Sequence, residues 1–272
     1  GLSAFVPLAV ELCDLKRVRD ASSPDSLASR AFRAAWAALL AGQEPSEVAS
    51  RATADAVAAA RLGGINRAVL AQAGVEGDEA DAVLAHSFDE VASPVAPALR
   101  DALRAQLGQP LRPGPAPAFA EALIRQPRAG ATCPGKPRIV LEPPESHSEH
   151  CLMVAVYGVA LAPAYGADPG TVFLASLAHH LHNALLPDSG FTGEMLLGPA
   201  LEPAFARIGP DAAPVYGGAV VRHAYQEHGV VDLDPALPDP DLGVGARVRI
   251  APNHACMTAA AHDRYHVVDG SD

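Results

Sequence analysis

Apolar residues recur at helical spacing along most of the first 227 residues. Capping residues, prolines and glycines divide this pattern into separate helices. The pattern predicts a fold that is mainly α, a helical bundle followed by a short β-rich tail. The helices are predicted within residues 3–19, and over residues 24–40, 45–62, 66–73, 78–91, 94–107, 147–164, 169–186, 200–208 and 212–227.

Two proline-rich stretches interrupt the helical pattern. Residues 109–118 contain four prolines and predict a stiff, extended connector. Residues 126–146 predict a loop that gathers Arg128, Lys136 and Arg138 in an otherwise acidic protein. These three cations are either a solvated loop surface or a clamp for a phosphate or carboxylate group of a substrate.

The last part of the chain changes to strand-like patterns. Residues 244–250 and 265–268 predict short strands. A glycine-containing loop is predicted at 187–194, between the histidine-rich helices and the helices that precede this tail. We therefore expect four segments, namely an N-terminal helical region at 1–108, the linker and basic loop at 109–146, a helical region at 147–227 and the tail at 228–272.

Composition narrows the classes of function and the cellular location. The net charge of −11 disfavours binding to nucleic acid, because an acidic surface repels phosphate backbones. The four cysteines include no CxxC pair, which indicates a reducing compartment rather than a disulfide framework. The short N-terminal apolar run is a poor signal peptide and too short to span a membrane. We expect a cytoplasmic protein that does not associate with membranes.

Five of the eleven histidines fall between positions 147 and 182. Residues three apart share one face of a helix, so His147 and His150 form one such pair and His179 and His182 another, with His180 between the latter two. One buried histidine is usually a hydrogen-bonded core residue, but a cluster of five is costly to bury without a purpose. We expect a divalent metal, iron, manganese or zinc, at these imidazoles.

Acidic residues follow the histidine cluster closely. Asp188 and Glu194 lie just after the second group of histidines. Their carboxylates are candidates for a further metal ligand or for the general base of a hydrolytic reaction.

Residues of about 145–225 resemble the HD-domain superfamily. In that family, one helix supplies a histidine and the next supplies an adjacent His-Asp pair, and a later aspartate completes a metal centre. The resemblance places His150 at the first histidine and His179 at the histidine of the pair, within DPGTVFLASLAHHLHNALL. It implies a helical fold and, for most members, hydrolysis of phosphoesters, with a minority acting as di-iron oxygenases.

The chain departs from the HD pattern at one position, where His180 stands in place of the aspartate. Histidine binds a metal but does not bridge two metals as a carboxylate does. This departure leaves two interpretations open. The site binds one metal in an altered geometry, or the chain is a non-catalytic HD-like signalling or scaffold protein.

Residues of about 227–270 resemble the C-terminal β-domain of D-serine dehydratase and D-threonine aldolase relatives, which are pyridoxal-phosphate enzymes. The segment PNHAC carries the resemblance and implies that His254 and Cys256 bind zinc. Alternate residues of an extended chain face the same way, so the two side chains can share one ion. The alternative is a buried cysteine beside a histidine that stabilises a turn.

Three functions remain open from the sequence. The first is a metal-dependent HD-like hydrolase of a small phosphorylated metabolite, with Arg128, Lys136 and Arg138 binding the phosphate. The second is the non-catalytic HD-like protein. The third is a remnant of a pyridoxal-phosphate-dependent D-amino acid lyase, against which the scarcity of lysine argues, since Lys16 and Lys136 are the chain's two lysines. The long apolar helices further suggest a homodimer.

Overall fold

The structure, a computed structural model, describes residues 2–130, 135–140, 142–201, 203–204, 207–208, 221–224 and 229–231. It is mainly helical, which confirms the predicted fold class. The chain divides into two units, Gly1–Val215 and Tyr216–Asp272, and the helices that carry the histidine cluster belong to the first. Within the described ranges, no helix has both the length and the apolar character needed to cross a membrane.

The helices of the first unit follow one another along the chain with short connections. Their bounds are α1 Leu2–Cys13, α2 Leu27–Leu40, α3 Pro45–Leu62, α4 Arg67–Gln72, α5 Gly77–Val91, α6 Pro97–Arg104, α7 Ala118–Arg125, α8 His147–Leu161, α9 Pro169–Ala178 and α10 Gly190–Leu197. Short 3₁₀ segments at Asp14–Lys16, Ala162–Tyr165, Leu181–Ala184 and Gly198–Ala200 follow α1, α8, α9 and α10.

Side-chain caps set the start of several helices. Ser26 Oγ accepts a hydrogen bond from the amide of Ser29 at 3.2 Å, so α2 begins at Leu27. The sequence had predicted the start at Ser23 and Pro24, and this was wrong because Ser26 is the residue that caps the helix. Asn66, predicted as the first residue of a helix over 66–73, instead caps α4, with its Oδ1 accepting from Val69 N at 3.1 Å.

The core of the first unit lies between α2, α3, α8 and α9, which pack against one another. Trp36 is fully buried there, and its ring meets that of Phe119 edge to face at 4.9 Å between centroids. Helices α8 and α9 approach closely at Gly158, where an added Cβ would lie 2.6 Å from Val172 Cγ1. This close contact brings the first turn of α8 to the end of α9.

Three further segments of the first unit differ from the prediction. Helix α7 lies between the proline-rich connector and the basic loop and was not predicted. Helix α9 ends at Ala178 rather than at residue 186, and the chain continues as a 3₁₀ segment. Helix α10 occupies residues 190–197, most of which had been predicted as loop.

Two short strands are described in the second unit. The strands β1 Val221–Ala224 and β2 Gly229–Val231 pair antiparallel, with Ala224 opposite Gly229. The predicted helix over 212–227 is therefore wrong at 221–224, where β-branched Val221 and the pairing with β2 favour an extended chain. The strands predicted at 244–250 and 265–268 lie outside the described residues.

Candidate metal centre

A capping box fixes the first turn of α8 and the two histidines on it. Ser146 Oγ accepts from the amide of Glu149 at 3.2 Å, and Glu149 Oε2 accepts from the amide of Ser146 at 2.7 Å. His147 is fully buried, while His150 is partly exposed. Both imidazoles are thereby held in the capped first turn of the helix.

The other three histidines lie where α9 gives way to the 3₁₀ segment. His180 and His182 are buried, and His179 is partly exposed. His180 Nδ1 lies 2.9 Å from Asn183 Oδ1, and Asn183 Nδ2 donates to the carbonyl of Leu186 at 3.3 Å. These side-chain bonds compete with a regular helix and turn the chain at His180.

Because α9 ends at Ala178, His179 and His182 do not lie on one face of a helix, and that prediction was wrong. His180 instead points its ring toward the first turn of α8. The ring centroids of His150 and His180 are 5.2 Å apart, those of His150 and His179 are 5.1 Å apart, and those of His179 and His180 are 4.3 Å apart.

Two groups of side chains in the described part of the chain could hold a metal ion. One consists of His150, His179 and His180, and the other of His180, His182 and Glu194. In each group, one ligand atom per residue lies within 4.8 Å of the others. Since both groups use His180, a single ion would occupy one group or the other.

Hydrogen bonds assign the tautomers of the first group. Arg128 Nη1 lies 2.8 Å from His150 Nδ1, and because a guanidinium only donates, this nitrogen is the acceptor. His150 then carries its proton on Nε2, which lies 3.1 Å from His179 Nε2 and donates to it. His179 in turn donates from Nδ1 to the carbonyl of Ser176 at 2.5 Å.

A buried carboxylate lies behind His150. Glu145 is 7% exposed, and it accepts from Lys16 Nζ at 2.7 Å and from Arg128 Nη1 at 2.9 Å. Its Oε1 is also 3.7 Å from His150 Nδ1. Glu145 was not predicted as a site residue, because nothing in the pattern EPPES marks it as buried.

The two predicted acids occupy different positions. Asp188 accepts hydrogen bonds from the amides of Ala129 and Gly190, each at 2.7 Å, and lies 3.6 Å from His147 Nε2. Glu194 Oε1 is 3.3 Å from His182 Nε2. Asp188 therefore neighbours His147, whereas Glu194 belongs to the second candidate group.

The three predicted basic residues are not brought to one point. Arg128 lies against His150 and Glu145, and Arg138 donates from Nη1 to the carbonyl of Ser189 at 3.1 Å. Lys136 is exposed on the loop. His254 and Cys256 lie outside the described residues, so their predicted zinc site stays a prediction.

Burial keeps two of the imidazoles neutral. It lowers the pKa of His180 strongly, and nearby His179, His150 and His147 lower it further. Burial also lowers the pKa of His147 to about 4, against the opposing charge of Asp188. A neutral imidazole keeps a ring lone pair, as metal coordination requires.

Comparison with known proteins gave one match. Residues 191–268, less than a third of the chain, match the family described as "Putative serine dehydratase domain". The match confirms the resemblance of the C-terminal tail and extends it back to α10. This match does not show the HD resemblance of the helical region, and no curated protein and no solved structure gave a significant match.

Proposed function

We propose that the chain binds one divalent transition metal, iron, manganese or zinc, at His150, His179 and His180, and that it hydrolyses a small phosphorylated metabolite as HD-type proteins do. The observation that carries the proposal is the convergence of three imidazoles whose ligand atoms lie within 4.8 Å of one another. His150 and His179 are also the two positions that the HD resemblance equates with metal ligands.

The donor set fits such an ion. Imidazole nitrogens are ligands for all three metals, and His180 is held neutral by its burial. A divalent metal bound there would acidify water for attack on a phosphoester. Glu194 stands at the second group, where its carboxylate could take a proton from an attacking water or serve as a further ligand.

Other residues of the chain would hold the substrate. Arg128, which lies next to His150, and Arg138, which donates to the carbonyl of Ser189, would each pair with an anionic phosphate. Asp188 accepts hydrogen bonds from the backbone amides of Ala129 and Gly190, and these bonds orient the loop between the 3₁₀ segment Leu181–Ala184 and α10. Lys136 is exposed and would act only as a longer-range attraction for the phosphate.

Metal analysis tests the proposal. Protein purified without a histidine tag is compared with the His179→Ala and His254→Ala variants, and each is assayed against a panel of phosphoesters. We expect about one equivalent of metal and phosphatase activity in the parent chain, and loss of both in His179→Ala alone. Loss of metal only in His254→Ala would move the chemistry to the tail, and a parent chain without metal would overturn the proposal.

A non-catalytic HD-like role is the second candidate. It is supported by His180 at the place where the family carries its aspartate, and by the 3.1 Å contact of His150 with His179, in which the two Nε2 atoms are hydrogen-bonded to each other without an ion. Under this alternative, the phosphoester panel gives no turnover even in metal-loaded protein.

The match of residues 191–268 supports a third candidate, a remnant pyridoxal-phosphate enzyme. The cofactor requires a lysine for its Schiff base. Residues 191–268 contain no lysine. Of the two lysines elsewhere in the chain, Lys136 is exposed on a loop and Lys16 is ion-paired with Glu145 at 2.7 Å. The donor set therefore does not fit the cofactor, and a visible absorption band of the purified protein would be needed to revive this candidate.

A further inference from the structure

The three imidazoles of the proposed centre are not equally prepared for a metal. His179 donates from Nδ1 to Ser176, and His180 donates from Nδ1 to Asn183 Oδ1. In both rings the proton is on Nδ1, so Nε2 carries the lone pair that a metal needs. His150 has the opposite tautomer, because Arg128 donates to its Nδ1.

Coordination by His150 Nε2 therefore requires its proton to move to Nδ1. Arg128 cannot accept that proton in a hydrogen bond, since a guanidinium has no acceptor. Glu145 Oε1 can, and it already lies 3.7 Å from Nδ1. A closure of about 1 Å would bring the pair to hydrogen-bond distance.

We infer that Glu145 is a positioning residue of the metal centre and that Arg128 competes with it for His150 Nδ1. In the metal-free chain, Arg128 holds His150 in the tautomer that does not coordinate. Metal binding turns Nδ1–H toward Glu145, which then orients the ring as a carboxylate orients a metal-bound histidine. The inference rests on the proposed metal site but does not depend on which reaction it catalyses.

The ion pairs around Glu145 make this exchange feasible. When Arg128 withdraws from Nδ1, Glu145 keeps its 2.7 Å bond from Lys16 and stays compensated. Arg128 retains its bond to Glu145 Oε1 through Nη1 or turns its guanidinium toward an anionic substrate. The buried carboxylate is therefore never left without a cation.

Zn²⁺ affinity of the full chain, measured by competition with a chelator dye, tests the inference. Glu145→Ala should weaken binding by roughly 10–100-fold, as loss of an outer-sphere carboxylate does. Glu145→Gln, whose amide oxygen still accepts from Nδ1, should recover most of that loss. Arg128→Met should tighten binding by roughly 10-fold, since it removes the charge-assisted hydrogen bond that competes for His150 Nδ1.

Lys16→Met is the matched control, because Lys16, like Arg128, is a cation that donates a hydrogen bond to Glu145. A simple charge effect would make Lys16→Met tighten binding as much as Arg128→Met and would make Glu145→Gln as weak as Glu145→Ala. Either result would overturn the inference. A merely structural role would weaken binding in Arg128→Met as well.

Nitrogen NMR of the histidine rings gives a readout independent of affinity. His150 should carry its proton on Nε2 in the metal-free chain and on Nδ1 in the zinc-loaded chain, and Arg128→Met should lose the preference for Nε2. An Nδ1–H tautomer of His150 in the metal-free chain overturns the inference alone. Failure of the parent chain to bind Zn²⁺ overturns the proposed function and this inference together.

Discussion

His150 Nε2 and His179 Nε2 lie 3.1 Å apart, so the first turn of α8 and the end of α9 meet through two ring nitrogens. Zinc–nitrogen bonds are about 2.0–2.1 Å long. Two nitrogens bound to one tetrahedral zinc ion are therefore only slightly farther apart than these two Nε2 atoms. A metal would therefore replace the shared proton with little movement of either helix.

The two candidate groups can be distinguished by substitution. If the ion binds at His150, His179 and His180, then His150→Ala should lose about one equivalent of metal, because one of three ligands is removed. His182→Ala should keep most of it. Metal content after dialysis measures both. The reverse order, with His182→Ala losing the ion, would place the metal with Glu194 instead.

The metal-free protein should lose stability in mild acid. The pKa of buried His147 is lowered to about 4, so the folded chain binds fewer protons than the unfolded chain between pH 4 and 6.5. The stability that neutral, buried His147 contributes to the folded chain is complete above pH 6.5 and is lost as the pH falls. From pH 7 to pH 5 we expect His147 alone to lower the free energy of unfolding by roughly 2 kcal/mol, and buried His180, whose pKa is also lowered, to add to this loss.

Urea unfolding after removal of metal by a chelator measures this loss through the fluorescence of Trp36, the chain's one tryptophan. His147→Leu should make the pH dependence shallower, because the linkage through His147 is removed while that through buried His180 remains. His86→Gln is the control, since His86 is exposed and its substitution should leave the slope unchanged. An unchanged slope in His147→Leu would contradict the assignment to His147.

Local signals in the sequence were sufficient where the cap and the breaker lie next to each other. Helix α3 runs from Pro45 to Leu62 as predicted, because Pro45 suits the first helical turn and Gly63 ends the helix with φ +59°. At the end of α9, apolar spacing continues through Leu181 and Leu185 and predicted a longer helix. The bond between His180 and Asn183 overrides that periodicity.

The candidate site was only partly predictable, because the sequence shows which residues cluster along the chain but not which distant residues are in contact. His150, His179 and His180 were identified from their clustering along the chain. Glu145 was not, because its burial depends on Lys16, which is 129 residues away in sequence. Contacts over such separations leave no periodic trace, so a buried ion-paired carboxylate reads as one more acid in a loop.

Close packing of α8 on α9 should make Gly158 intolerant of a side chain. Alanine would add about 1 kcal/mol of helix propensity, but its Cβ would lie 2.6 Å from Val172 Cγ1. We expect Gly158→Ala to lower the free energy of unfolding by about 1–3 kcal/mol, as overpacked cores do, and to weaken metal binding.

Chemical unfolding and Zn²⁺ titration of Gly158→Ala measure these two effects. The double variant Gly158→Ala, Val172→Ala removes the facing methyl groups and should recover part of the loss. If Gly158→Ala is as stable as the parent chain, the two helices are not held at the distance described here.

The thiols of Cys151 and Cys13 should differ in reactivity, because the two side chains differ in burial. Cys151 is fully buried on α8, and burial raises the pKa of its thiol to about 12, so almost no reactive thiolate forms at pH 8. Cys13 is partly exposed beside Tyr157. Under native conditions we expect iodoacetamide to modify Cys151 at least ~100-fold more slowly than in urea, where it is exposed. Peptide mass spectrometry after timed labelling measures this ratio, and rapid native labelling of Cys151 would show that α8 is not packed in the core.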